Sequence, residues 1–148
     1  MTEDPTEPAV QVTEWPFYWL TRAGVAYADA MTSALQGTGL DMPSWRVVMV
    51  LRDAEWMSVS EIAALSNSKL AAMTKTVQRM KADALVETRE SSADRRVTEV
   101  TLTQTGRHAA AVGNQAASRV AHRAFYHMSD RDQQQLSALL ANVVQNLR

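Results

Sequence analysis

The chain has 148 residues, 46% hydrophobic and 21% charged, with 15 Lys+Arg against 16 Asp+Glu and no cysteine. That length suits one domain whose core needs no disulfide or metal staple, and the missing thiols exclude disulfide scaffolds, thiol nucleophiles and cysteine zinc sites. Charged and polar residues interrupt every apolar stretch too early for a membrane span, and the acidic start lacks the basic and apolar regions of a secretory signal, so a soluble, cytoplasmic protein is expected.

In chain order, residues 1–14 carry Glu3, Asp4, Glu7 and Glu14, with Pro5 and Pro8, and no base; they read as a flexible leader. Residues 15–148 read as a single unit. Pro16 suits a first helical turn. Phe17, Leu20, Gly24, Tyr27, Met31 and Leu35 then recur at three- and four-residue spacing as one apolar stripe, stopped by Gly37-Thr38-Gly39. Asp41 can cap a second helix with Pro43 in its first turn, running through Trp45, Val48 and Met49 to about Asp53. Ser58-Val59-Ser60-Glu61 has capping-box spacing, ahead of a short helix through Ile62 and Leu65.

After the polar turn Ser66-Asn67-Ser68, a further helix is expected from Lys69 to about Ala84. Its apolar stripe is Leu70, Met73, Val77, Met80 and Ala84; the opposite face holds Ala71, Ala72, Lys75, Arg79 and Ala82, with Gln78 at its edge. Residues 85–103 alternate and are rich in β-branched types around the turn-forming Ser-Ser-Ala-Asp, which predicts a two-stranded hairpin. Thr103 caps a long alanine-rich helix reaching about His127. Ser129 caps a last one, whose Leu136, Leu139, Leu140, Val143, Val144 and Leu147 form a repeat.

The net charge of −1 conceals a local basic run: from Ile62 to Ala82 there is no acid, while Lys69, Lys75, Arg79 and Lys81 appear. Polyanion binding depends on such a face and not on the total, because each neutralised phosphate releases counterions. Two short helices around a tight turn, followed by a hairpin, make a winged helix-turn-helix: a mainly α architecture with a small β wing. Its second helix can present Ala71 and Ala72 to thymine methyls. Ser58, Ser68, Thr74 and Thr76 supply hydroxyls for phosphates or bases, and Lys69, Lys75 and Arg79 supply charge. At the hairpin tip, Arg95 and Arg96 suit a narrow minor groove, with Asp94 placed to accept from Arg96 and orient it.

The segment from Glu61 to Gly106 closely resembles the DNA-binding lobe of MarR-type transcriptional regulators. Asp94, Arg96, Val100, Leu102, Thr103 and Gly106 match the family's wing signature. Ala84 departs from it, standing where the family commonly has glycine. The resemblance implies a homodimer that joins through residues 15–36 and 104–148 and carries a DNA-binding lobe at 41–103. It also implies a repressor released by a small phenolic or aromatic acid. The apolar stripes of the first and last helices independently call for a partner, since a small winged helix cannot cover them. A symmetric pair would place two recognition helices about 34 Å apart on a pseudopalindromic double-stranded operator.

Trp15, Phe17, Trp19, Trp45 and Tyr126 fall on helices expected to meet between dimer and DNA lobe, where aromatics serve a core or a ligand pocket. Arg22 and Arg46 can clamp a carboxylate bidentately or face water. With Met49 and His122, these residues (Phe17 apart) form the candidate effector set. His122 and His127 are five apart, poor spacing for joint chelation, so no metal or cofactor is expected. Nothing resembles a nucleophile elbow or a phosphate-binding glycine loop, which argues against an enzyme. The alternatives are another winged-helix regulator, such as a metal-responsive one, or a winged helix used for small-molecule or protein contact.

Overall fold

Four helices begin where a side chain satisfies amides that the first turn leaves bare. Asp41 accepts from the Ser44 amide at 3.0 Å, and Thr103 accepts from Gly106 at 2.9 Å. Ser58 with Glu61 and Ser129 with Asp132 form reciprocal capping boxes. The computed structural model describes residues 11–148, so residues 1–10 of the expected leader lie outside the described residues; Val12–Glu14 form a 3₁₀ turn. The helices are α1 (Pro16–Ala34), α2 (Met42–Leu51), α3 (Val59–Leu65), α4 (Leu70–Ala82), α5 (Gln104–Ala124) and α6 (Asp130–Asn146). The strands are β1 (Met57–Ser58), β2 (Val86–Glu90) and β3 (Thr98–Leu102). No helix among the described residues is long and apolar enough to cross a membrane.

The expected hairpin is β2–β3, but it belongs to a three-stranded antiparallel sheet of order β1-β3-β2. Met57 pairs with Val100 on one side of β3, and Thr88 with the same residue on the other. Two residues are too few to show an alternation, which is why β1 escapes a reading by period.

Met31, Leu35, Trp45, Val47, Val48, Leu51, Ile62, Met73, Val77, Met80, Val86, Val100 and Leu102 form the core, with Ala109, Ala116 and Val120 of α5 closing it. Trp45 is only 3% exposed. Its ring lies flush on Gly113, where an added Cβ would come within 2.9 Å of it. Elsewhere the apolar stripes depart from expectation. In α1 only Met31 is buried, while Phe17, Leu20 and Tyr27 are exposed. Leu65 and Leu70 are also exposed, because each lies at the helix-turn-helix rim and not over the core. No residue of α6 is buried.

Helix α4 ends earlier than its sequence pattern predicts, in a tight C-terminal motif. The Leu85 amide donates to the Met80 carbonyl at 2.9 Å and the Ala84 amide to Lys81 at 3.0 Å. Ala84 holds φ +58°, a left-handed conformation that glycine adopts more easily. The exposed carbonyls of this turn bind the start of α5: Thr103 donates its amide to Leu85 at 3.1 Å and its hydroxyl to Ala84 at 2.6 Å. A Cβ at Gly106 would collide with the Leu85 carbonyl, so only glycine lets α5 seat here. Helix α4 is thereby locked to the long helix behind it.

Candidate nucleic-acid interface

Helix α4 buries Met73, Val77 and Met80. At about 100° per residue, Ala71, Lys75, Gln78 and Ala82 fall opposite that face, and all are exposed. Arg79 turns to one flank and Lys81 to the other. The Arg79 guanidinium pairs with Asp41 at the start of α2 at 2.7 Å, and also donates to the Ser44 hydroxyl at 3.2 Å. Burial pushes the Asp41 carboxyl up, but the Ser44 hydrogen bonds and the Arg79 charge outweigh it and leave the group below its ordinary range. Lys81 donates to Thr88 of β2 at 2.7 Å. Arg79, assigned to DNA by its position on the basic face, therefore has a protein partner that lies far from it in sequence.

The hydroxyls also differ from their sequence assignment. Thr74 donates to the Leu70 carbonyl at 2.9 Å and Thr76 to Ala72 at 3.1 Å. Their protons are occupied within the helix, so toward an incoming ligand they offer acceptors only. Ser58 is engaged in its capping box, donating to Glu61 at 2.6 Å. Ser68 is half-buried and donates to the Ser66 carbonyl at 3.3 Å. Lys69 stands at the N-cap of α4 without capping it by its side chain. Ala71, Ala72 and Lys75 remain open to solvent.

At the wing tip, Asp94 accepts from the Arg96 amide at 3.0 Å and from its guanidinium through Nε at 3.1 Å and an Nη at 3.0 Å. Those bonds hold the Asp94 carboxyl below its usual range. The Arg96 side chain is nonetheless 91% exposed, so it is oriented without being hidden. Arg95 is 92% exposed and pairs only loosely with Glu90, at 4.0 Å. Arg89, whose sequence allows pairing with Glu87 or Glu99, pairs with Glu99 directly across the sheet at 2.7 Å and stacks on the Trp56 ring at 4.0 Å. The Trp56 stack went unanticipated, having no periodic signal.

The candidate effector residues do not converge within one protomer. Trp45, Arg46 and Met49 border a depression of about 270 Å³ beside Tyr27 and the α3–α4 turn. Trp19 and Arg22 border another on α1, and His122 and Tyr126 a third at the end of α5. Trp15 packs edge-on against Phe17 at 5.6 Å, and Arg22 lies over the Tyr18 ring at 5.4 Å. Trp45, expected either in a core or in a ligand wall, is principally a core residue. Among the described residues, no three His, Asp or Glu side chains gather as metal ligands.

Comparison with known proteins agrees with this geometry. Residues 38–97 match the MarR family, the stretch that runs from the cap of α2 to the wing tip. The chain is 35% identical over 144 residues to the HTH-type transcriptional repressor IacR of Pseudomonas putida, covering 97% of this chain and 86% of that protein. Its fold is similar to BpsR of Bordetella bronchiseptica, a protein whose DNA binding is regulated by 6-hydroxynicotinic acid (TM-score 0.77, 22% identity, 86% of this chain and 97% of that one). It is also similar to CouR of Rhodococcus jostii RHA1, solved with p-coumaroyl-CoA (TM-score 0.83, 20% identity, 91% and 95% covered) and, as a repressor, on a 23-mer DNA duplex. The chain belongs to the MarR family of winged helix-turn-helix transcriptional regulators.

Proposed function

We propose that the chain is a homodimeric transcriptional repressor that binds a pseudopalindromic operator and is released by a small aromatic carboxylate. The observation that carries the DNA reading is the open outward face of α4, where Lys75 stands among small side chains, together with a wing arginine fixed in orientation by Asp94. Small residues let the backbone approach base edges, the lysine neutralises phosphate, and an oriented guanidinium suits a narrow minor groove. In this reading Lys69, Lys75 and Arg95 are phosphate contacts. Ala71 and Ala72 meet thymine methyls, Arg96 enters the minor groove, and Ser68, Thr74 and Thr76 accept from base amino groups. Residues 41–103 form the DNA-binding lobe, and residues 15–36 and 104–148 form the dimer, where the uncovered side of α6 requires a second copy.

The relatives IacR and CouR are repressors, which favours that direction of control. The ligands of BpsR and CouR are an aromatic acid and a thioester of one, which favours that effector class. Arg22 and Arg46 are the cations that would meet its carboxylate, with Trp15, Trp19, Met49, His122 and Tyr126 as the apolar surround once two protomers join.

Mobility shift at fixed salt tests the interface. Arg96→Ala should weaken operator binding by about 1–3 kcal/mol. Lys75→Ala should weaken it and lower the salt slope by about 1.8, since each protomer loses one phosphate contact. Wild-type affinity in both variants would refute the groove assignment. Calorimetric titration with a panel of phenolic acids tests the effector: no heat from any, with DNA binding intact, removes that part of the proposal.

A further inference from the structure

We propose that Gln78 is the base-reading residue of the recognition helix and that it reads adenine; the inference rests on the operator-binding reading above. The outer side of α4 separates into braces and readers. Arg79 is tied to Asp41 and Ser44 of α2, and Lys81 to Thr88 of the wing, so the cations on either flank hold the helix between its neighbours. Thr74 and Thr76 have their protons in the helix's own carbonyls. On the outward face that leaves Lys75 and Gln78, neither of whose side chains makes a hydrogen bond or ion pair with another described residue.

The two have different chemistry. An ammonium only donates, and it satisfies a phosphate as readily as a base. The Gln78 amide carries a donor pair and an acceptor on one rigid plane, the complement of adenine's N7 acceptor and N6 donor in the major groove. Its surroundings leave room for such a contact: Ala71 lies two turns before it and Ala82 one turn after it on the same face, and both are exposed. A long side chain tilts toward the helix N-terminus, and Gln78 borders the depression between α4 and the wing that Leu70, Thr74 and Arg96 also line.

Selection of bound fragments from random duplex DNA, run in parallel on the full wild-type chain, Gln78→Ala and Gln78→Glu, tests this. The wild type should enrich a symmetric motif with adenine at one fixed position of each half-site. Gln78→Ala should lose that preference, by roughly tenfold to a hundredfold against competing bases, and keep the rest of the motif. Gln78→Glu should move the same position toward cytosine, whose N4 amine donates to a carboxylate. A motif unchanged in both variants overturns the assignment and leaves operator binding standing. A wild-type chain that enriches no motif brings down both.

Discussion

From Leu40 to Leu102 every helix contributes buried side chains: Trp45, Val47, Val48 and Leu51 in α2, Ile62 in α3, Met73, Val77 and Met80 in α4. In α6 there are none; Leu136, Leu139, Leu140, Val144 and Leu147 range from 38% to 72% exposed. The amino-terminal half of α1 is similar, with Trp15, Trp19 and Leu20 in solvent. Both regions carry helical stripes of comparable clarity in the sequence, so periodicity alone does not say what a stripe faces. The lobe closes its core within one chain, and the ends present theirs outward. Substitutions in the two regions should therefore fail in different ways.

The largest effect is expected where the lobe meets α5. Gly106→Ala forces a methyl against the Leu85 carbonyl, a backbone atom that cannot swing aside and is also held by Thr103. Parting the two costs on the order of 3 kcal/mol, to be read as a lowered midpoint in urea unfolding. A midpoint unchanged from wild type would mean that α5 is not seated on the recognition helix's last turn.

At the ends the expected failure is assembly. Leu139→Asp with Leu140→Asp should leave the helical content and the lobe's unfolding midpoint near wild type, yet convert the proposed dimer to monomer in sedimentation at micromolar concentration. Losing the second half-site contact should weaken operator binding by about a hundredfold. A variant that still sediments as a dimer would place the interface elsewhere and undo the contrast between the two regions.

A smaller gain is available at Ala84, whose left-handed backbone costs about 1–2 kcal/mol for a residue with a Cβ. Ala84→Gly should stabilise the lobe by roughly 0.5–1 kcal/mol after the glycine's greater freedom when unfolded is subtracted. The Leu85 amide–Met80 carbonyl bond and the burial of Leu85 persist in that variant, so operator affinity should hold. Thermal unfolding followed by circular dichroism measures the gain; a lower Tm would contradict the observed φ.

Local rules made much of this legible in the sequence. The caps Asp41, Ser58, Thr103 and Ser129 follow from three-residue spacing, and the buried stripe of α4 follows from its period. The wing clamp between Asp94 and Arg96 is a contact two residues long. What escaped depends on residues that the fold brings together from far apart. Arg79 sits on the basic face by sequence, and only the packing of α4 on α2 supplies Asp41. Trp45 has the composition of a ligand wall, and only Gly113, opposite it on α5, turns it into core. The effector candidates were gathered by residue type and scatter over three separate surfaces. That difference separates the well-ordered face of α4 and the wing from the scattered effector candidates.

The finest test concerns the ion pair that braces α4 within the lobe. In Asp41→Asn the cap on Ser44 survives, because an amide oxygen still accepts, but Arg79 loses its charge partner. Both groups are about half exposed, so the cost is that of a surface pair, about 0.5 kcal/mol or 1–2 °C in Tm. The carboxyl is held below its ordinary 3.8. The pair therefore contributes fully above about pH 5 and loses that contribution as pH falls through 3.8 toward the folded value. The Tm gap between wild type and Asp41→Asn should accordingly be widest near neutrality and close in acid. Operator affinity should drop a few-fold with the salt slope unchanged, since no phosphate contact is removed. A slope lowered by about 1.8, one phosphate contact per protomer, in Arg79→Ala would instead make that arginine a phosphate ligand, and the brace would have to be reassigned to the lysine on the other flank.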